Sequence, residues 1–128
     1  MLHSSPQGTS SIFLGPFHIT GSPKIPVGGD LVGKNPGDLI MVRGVVTDTQ
    51  GMPIGNAELD FWQTAANALY SSQDDKQGTY NFHGVMTTGP DGRYALTTIK
   101  PVAYTVPTDG PVGEILRATG RHPWRPSH

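Results

Sequence analysis

The sequence contains no cysteine. That excludes disulfides, thiolate metal ligands and a cysteine nucleophile at once. Charge is also scarce. Asp, Glu, Lys and Arg make up 15% of the 128 residues, against about a quarter in an average globular domain. The formal net charge of −1 offers no basic surface to nucleic acid or anionic lipid. No apolar run approaches the roughly 18 residues that a spanning helix requires. The first eleven residues lack a basic stretch followed by an apolar one, so no secretory signal is expected there. These absences predict a cytoplasmic protein that contacts neither nucleic acid nor membrane.

Turn-forming residues are plentiful instead: 17 Gly and 12 Pro, which favours short strands over long helices. Residues 1–11 are rich in Ser, Gly, Pro and Gln and read as a disordered arm. Residues 12–128 read as one domain. Residues 39–46 alternate while remaining apolar on both sides, the pattern of a strand buried on both faces. The turn at Asp48 to Pro53 and the alternation of Ala57, Leu59 and Phe61 predict a returning strand, hence a hairpin. Residues 63–78 form a long polar loop. Residues 79–87 and 94–99 are two more strands, divided by Gly89-Pro90-Asp91-Gly92. Three prolines forbid a regular helix over residues 100–113, and residues 114–118 allow one helical turn with Val112, Ile115 and Leu116 on one side. The fold class is all-β, an antiparallel sandwich with long loops and one short helix.

Long loops in a compact domain are usually functional or disordered, and two here carry a tyrosine, Tyr70 and Tyr104. A third feature is the basic-aromatic run Arg121 to His128. Taken alone, each has an ordinary explanation. A loop Tyr commonly packs, a terminal His is commonly solvated, and Arg125 beside Trp124 is commonly a surface cation–π pair.

Five ordered blocks change that balance. They are Leu14-Gly15-Pro16-Phe17; Gly44-Val45-Val46-Thr47-Asp48 with Gly51-Met52-Pro53; Asp60-Phe61-Trp62-Gln63 leading to Tyr70; Gly92-Arg93-Tyr94; and Pro101 to Gly113 followed by Arg121 to His128. Together they resemble the intradiol ring-cleavage dioxygenases over residues 12–128. The resemblance implies a β-sandwich catalytic domain and an enzyme that opens a catechol, chlorocatechol or hydroxyquinol between its vicinal hydroxyls, using dioxygen and non-haem iron(III). It makes Tyr70, Tyr104 and His128 metal ligands, Arg125 the active-site cation, and Phe13, Leu14, Gly15 and Pro16 the segment beside the substrate ring. The chemistry is coherent, because a hard ferric ion prefers anionic oxygen and converts a phenol of pKa about 10 to its phenolate. A ferrous extradiol enzyme would use two His and one carboxylate.

The chain also departs from the family pattern. The family's second histidine would stand two residues beyond His128, and its helical dimer-forming region would precede Met1, so the resemblance implies a chain cut at both ends, with the homodimer interface missing. Ala68 stands where Gly is common, His83 where Arg is common, and Ser127 where Ala is common. His83, Tyr80 and Tyr94 are expected within strands as structural residues. The Trp62-Gln63 pair, Gln73 and Leu14 to Phe17 resemble hydroxyquinol or chlorocatechol members more than plain catechol ones. The competing expectations are an inactive fragment or a transthyretin-like binding module, in which Tyr70 and Tyr104 merely pack. A metal-independent hydrolase is disfavoured, since there is no nucleophile elbow.

Overall fold

The computed structural model describes residues 13–128, so the arm expected over residues 1–11 lies outside the described residues. Among the described residues seven short strands and one α-helix follow in order, with a 3-10 turn at Ser71–Gln73: β1 (Gly29–Asp30), β2 (Leu39–Val45), β3 (Glu58–Trp62), β4 (His83–Thr87), β5 (Arg93–Ile99), β6 (Tyr104–Thr105), α1 (Pro111–Ala118) and β7 (Trp124–Arg125). They form three sheets, ordered β1-β5-β2, β3-β4 and β6-β7. All pairings are antiparallel except β1 with β5. The first two sheets face each other as the layers of a β-sandwich. Phe61 of β3 meets Tyr94 of β5 across the gap, with ring centroids 6.2 Å apart. Among the described residues, no helix is long and apolar enough to cross a membrane.

The expected hairpin between residues 39–46 and 57–61 does not form. The turn itself exists: the Asp48 carboxylate accepts from the backbone N–H of Gln50 and Met52, each at 2.9 Å. After it, however, the chain crosses to the other layer. β2 pairs with β5 from Leu39↔Ile99 to Val45↔Arg93, and β3 pairs with β4 from Glu58↔Thr87 to Trp62↔His83. Alternation defines a strand's faces but not its partner, and both pairings satisfy the same local pattern. Nor is β2 buried on both faces. Leu39, Met41 and Val45 point outward at 67%, 69% and 46% exposure.

The other elements shift at their ends. The strand expected over residues 79–87 begins at His83, because residues 79–82 turn, with Phe82 at φ 56°. Tyr80 therefore lies in that turn, and its hydroxyl donates to the Thr20 carbonyl at 3.2 Å. The helix is longer than the expected single turn, starting at Pro111. Proline at the first helical position costs no hydrogen bond, so the prolines that forbid a helix further back permit one here. Its apolar side is not buried as a unit: Leu116 is 6% exposed, but Val112 and Ile115 are 52% and 61% exposed. Val32, Ala65, Phe82 and Ile99 form the core, with Leu31 packed against them.

Candidate active site

Strand β6 and strand β7 exist because the chain folds back through α1. The return needs close packing at Gly113, where a Cβ would lie 2.1 Å from the Thr108 carbonyl oxygen. The pairing sets Tyr104 directly opposite Arg125 and Thr105 opposite Trp124, and the bond from Val106 N–H to the Pro123 carbonyl at 3.0 Å extends the ladder. Residues opposite each other on paired strands share a face, so Tyr104 and Arg125 point to one side. Trp124, one residue away, belongs to the other.

Tyr70 arrives from the loop after β3. Its backbone is pinned at both ends. The N–H donates to the Gln73 side-chain oxygen at 3.1 Å, and the carbonyl accepts from Gln73 N–H at 2.9 Å. Gln73 is thus a backbone anchor. The loop is tied further through Asp74, whose carboxylate accepts from Asn67, the Lys76 N–H and Gln77. Those bonds, the Asn67 amide foremost, hold the Asp74 carboxyl below its usual range.

The two tyrosines and His128 come together. Tyr70 and Tyr104 are 2% and 8% exposed, with rings edge to face and centroids 5.4 Å apart. The His128 ring is 5.5 Å from that of Tyr104 and is exposed. Its Nδ1 lies 3.0 Å from the Pro126 carbonyl oxygen. A carbonyl only accepts, so Nδ1 carries the proton and Nε2 of the neutral ring is left with a lone pair, as a metal ligand requires. Burial above all, then the hydrogen bond and charge of Tyr104, push the Tyr70 phenol far above its ordinary value. By itself, a phenol so placed stays protonated, as burial dictates for Tyr70. A multivalent cation between the two phenols would reverse that, so the donor set fits a hard metal ion.

These side chains line a cleft of about 710 Å³, room for a monocyclic aromatic. Phe13, Leu14, Gly15 and Pro16 form part of its wall, with Phe61, Trp62 and Val106, and Arg125 enters it as a cation. Arg125 Nη1 donates to the carbonyls of His122 and Trp124 at 2.9 and 2.8 Å, so backbone acceptors hold the guanidinium.

Three contributors escaped the sequence reading as site residues. Phe17 stacks on Tyr70 at 4.2 Å and 7°, although it ends the first of the five blocks. Asp60 also lines the cleft, and His18 stands behind it, paired with its carboxylate at 2.8 Å. Gln63, by contrast, does not line the cleft and is bonded to Thr98 and Ile99. His83 is 3% exposed, and neither ring nitrogen has a partner among the described residues. Burial chiefly pulls its pKa down, and the Asp60 charge only partly opposes this. Among the described residues no three His, Asp or Glu side chains group as a metal cage.

Comparison with known proteins identifies the class. A model of the dioxygenase family matches residues 16–128, and the chain belongs to that family. Its similarity to individual members is close. It is 43% identical to the hydroxyquinol 1,2-dioxygenase of a Rhizobium species over 128 residues, covering 98% of this chain and 43% of that protein. It is 45% identical to the catechol 1,2-dioxygenase of Candida albicans over 123 residues, covering 94% and 41%. The crystal structure of hydroxyquinol 1,2-dioxygenase from Pseudomonas putida superposes with a TM-score of 0.86 at 44% identity, covering 98% of this chain and 43% of that one. The chain therefore spans a little over two fifths of the length of these relatives.

Proposed function

We propose that this chain carries the diol-binding and metal-binding part of an intradiol dioxygenase. The activity would be iron(III)-dependent cleavage of a catechol-type ring between its two hydroxyls, in the cytoplasm, with both atoms of dioxygen entering the open-chain diacid. The observation that carries this reading is the convergence of Tyr70, Tyr104 and His128, with ring centroids 5.4 and 5.5 Å apart, in one apolar cleft. Ordinary packing of the tyrosines does not require an imidazole with a free Nε2 beside them.

In this reading Tyr70, Tyr104 and His128 hold the metal. When bound, ferric iron supplies the Lewis acidity that favours phenolate and diolate over phenol and diol. The chain's own residues do the rest. Phe17 packs flat on Tyr70 and fixes its ring. Phe13 to Pro16 and Trp62 supply an apolar wall for an aromatic ring. Arg125 places a fixed cation, held by two carbonyls, where negative charge develops on the substrate.

The test is to load the protein with iron(III), record the visible spectrum and follow ring opening of catechol, chlorocatechol and hydroxyquinol by product mass. A tyrosinate-to-iron charge-transfer band and a diacid product are expected. Tyr104→Phe should remove most of the band. An unchanged spectrum in that variant would defeat the ligand assignment.

A further inference from the structure

The cleft wall contributed by β3 is not uniformly apolar. Alternation puts Asp60 and Trp62 on one face of the strand, and both line the cleft that holds Tyr70 and Tyr104. Asp60 is a solvent-open carboxylate at the edge of that wall, bonded on one side. Asp60 Oδ2 lies 2.8 Å from His18 Nε2, and their side chains are 30% and 14% exposed. The imidazole is the more buried member, set edge-on to Trp62 with centroids 5.0 Å apart. The carboxylate is the more open one. Among the described residues His18 is its one hydrogen-bond partner, whereas a carboxylate has about four acceptor positions. Acceptor capacity is therefore left over within the cleft.

The pair is also tied to the phenol end. His18 directly follows Phe17, whose ring lies on Tyr70 at 4.2 Å. A ring with two vicinal oxygens at Tyr70 and Tyr104 would have its remaining edge to present to the rest of the wall. Arg125 offers only donors there. Asp60 offers an acceptor. A hydroxyl can donate to it, a ring hydrogen cannot do so usefully, and a chlorine substituent would bring its own electron density against the carboxylate.

We propose that Asp60, oriented by His18, determines specificity by accepting a hydrogen bond from a ring hydroxyl outside the vicinal pair, so that the cleft prefers a trihydroxybenzene to catechol. This rests on the reading of the cleft as a diol site. The alternative role is purely mechanical, with the pair bracing Phe17 against Tyr70. A brace acts on every diol alike, and a hydroxyl acceptor does not.

The experiment measures binding of 1,2,4-trihydroxybenzene and of catechol to the iron-loaded protein without dioxygen, by calorimetry and Trp fluorescence, so that the readout is not turnover. The ratio of the two affinities decides. The native protein is expected to favour trihydroxybenzene by about 10- to 100-fold, the range for one hydrogen bond to a charged acceptor. Asp60→Leu should bring the ratio near one. Asp60→Asn, which keeps the shape and the side-chain oxygen, should give a value between. A ratio that survives Asp60→Leu overturns the proposal, as does a native ratio near one. If Asp60→Leu does not fold, an Asp60→Asn ratio equal to the native one overturns it. Failure of the native protein to bind either compound would instead remove the diol reading itself, and this proposal with it.

Discussion

Ala68 holds the chain in a left-handed conformation, with φ 65°, two residues before Tyr70. An L-residue there costs roughly 1–2 kcal/mol relative to its preferred regions, because Cβ crowds the following carbonyl. Glycine escapes that crowding but loses more freedom on folding, which returns about 0.4–1 kcal/mol of the difference. Ala68→Gly should therefore stabilise the fold by about 0.5–1 kcal/mol. A higher urea midpoint at unchanged slope would show this, and a lower midpoint would mean that the loop depends on the methyl group. The sequence pattern marked Ala68 as a departure from a common Gly, and the dihedral supplies the reason. Tyr70 and Tyr104 were legible in the same way, as members of ordered blocks. Phe17 sat in such a block without a role, since nothing in a linear pattern says that a ring four residues after Phe13 will lie flat on Tyr70. Asp60 was harder still. On a half-buried strand an acidic residue at an alternate position reads as solvent-facing, which Asp60 is, and only the tertiary structure shows that the solvent it faces is that of the cleft.

At the level of elements, one side chain joins the two layers of the sandwich. Gln63 follows β3 and is 7% exposed. Its Nε2 donates to the Ile99 carbonyl at the end of β5, at 3.1 Å, and its Oε1 accepts from the Thr98 hydroxyl at 2.7 Å. β3 and β5 belong to different sheets, so the amide does what no backbone bond between them does. Gln63→Leu keeps the bulk but leaves a buried hydroxyl and carbonyl without this partner. It should cost about 1–3 kcal/mol, read from the urea midpoint. A loss below about 0.5 kcal/mol, the lower end of a net hydrogen bond, would mean that the strap contributes little. Strand existence was largely visible beforehand for β2, β3, β4 and β5. Strand pairing was not. A turn at Asp48 flanked by two alternating runs is the local signature of a hairpin, yet Ile54 N–H bonds back to the Val46 carbonyl at 2.8 Å and the chain then leaves for the other sheet.

Over the molecule as a whole, much apolar surface of this chain faces outward. Leu39, Met41 and Val45 share the outward face of β2 with Arg43, β2 being the edge of its sheet, and Val112, Ile115, Phe13 and Leu14 are also exposed. An apolar edge strand invites pairing with another chain. Replacing Leu39 and Met41 with Thr and Lys on that outward face should reduce association of this chain in light scattering, while shifting stability by no more than about 0.5 kcal/mol. Unchanged association would move the sticky surface elsewhere.

Composition, turn chemistry and motif order were enough to specify an all-β chain, the approximate extent of its strands, and the tyrosines and histidine around which its chemistry is proposed. They suffice because propensity and alternation act between near neighbours, and because a motif keeps its order whatever the chain does between its parts. The tertiary structure alone decided which strands pair, which face of β2 is wet, and that Phe17 and Asp60 stand in one cleft with Tyr70, Tyr104, Arg125 and His128. Those outcomes depend on contacts between residues tens of positions apart, where the free energy lies in burying one surface against another, and no short-range pattern encodes which two surfaces those are.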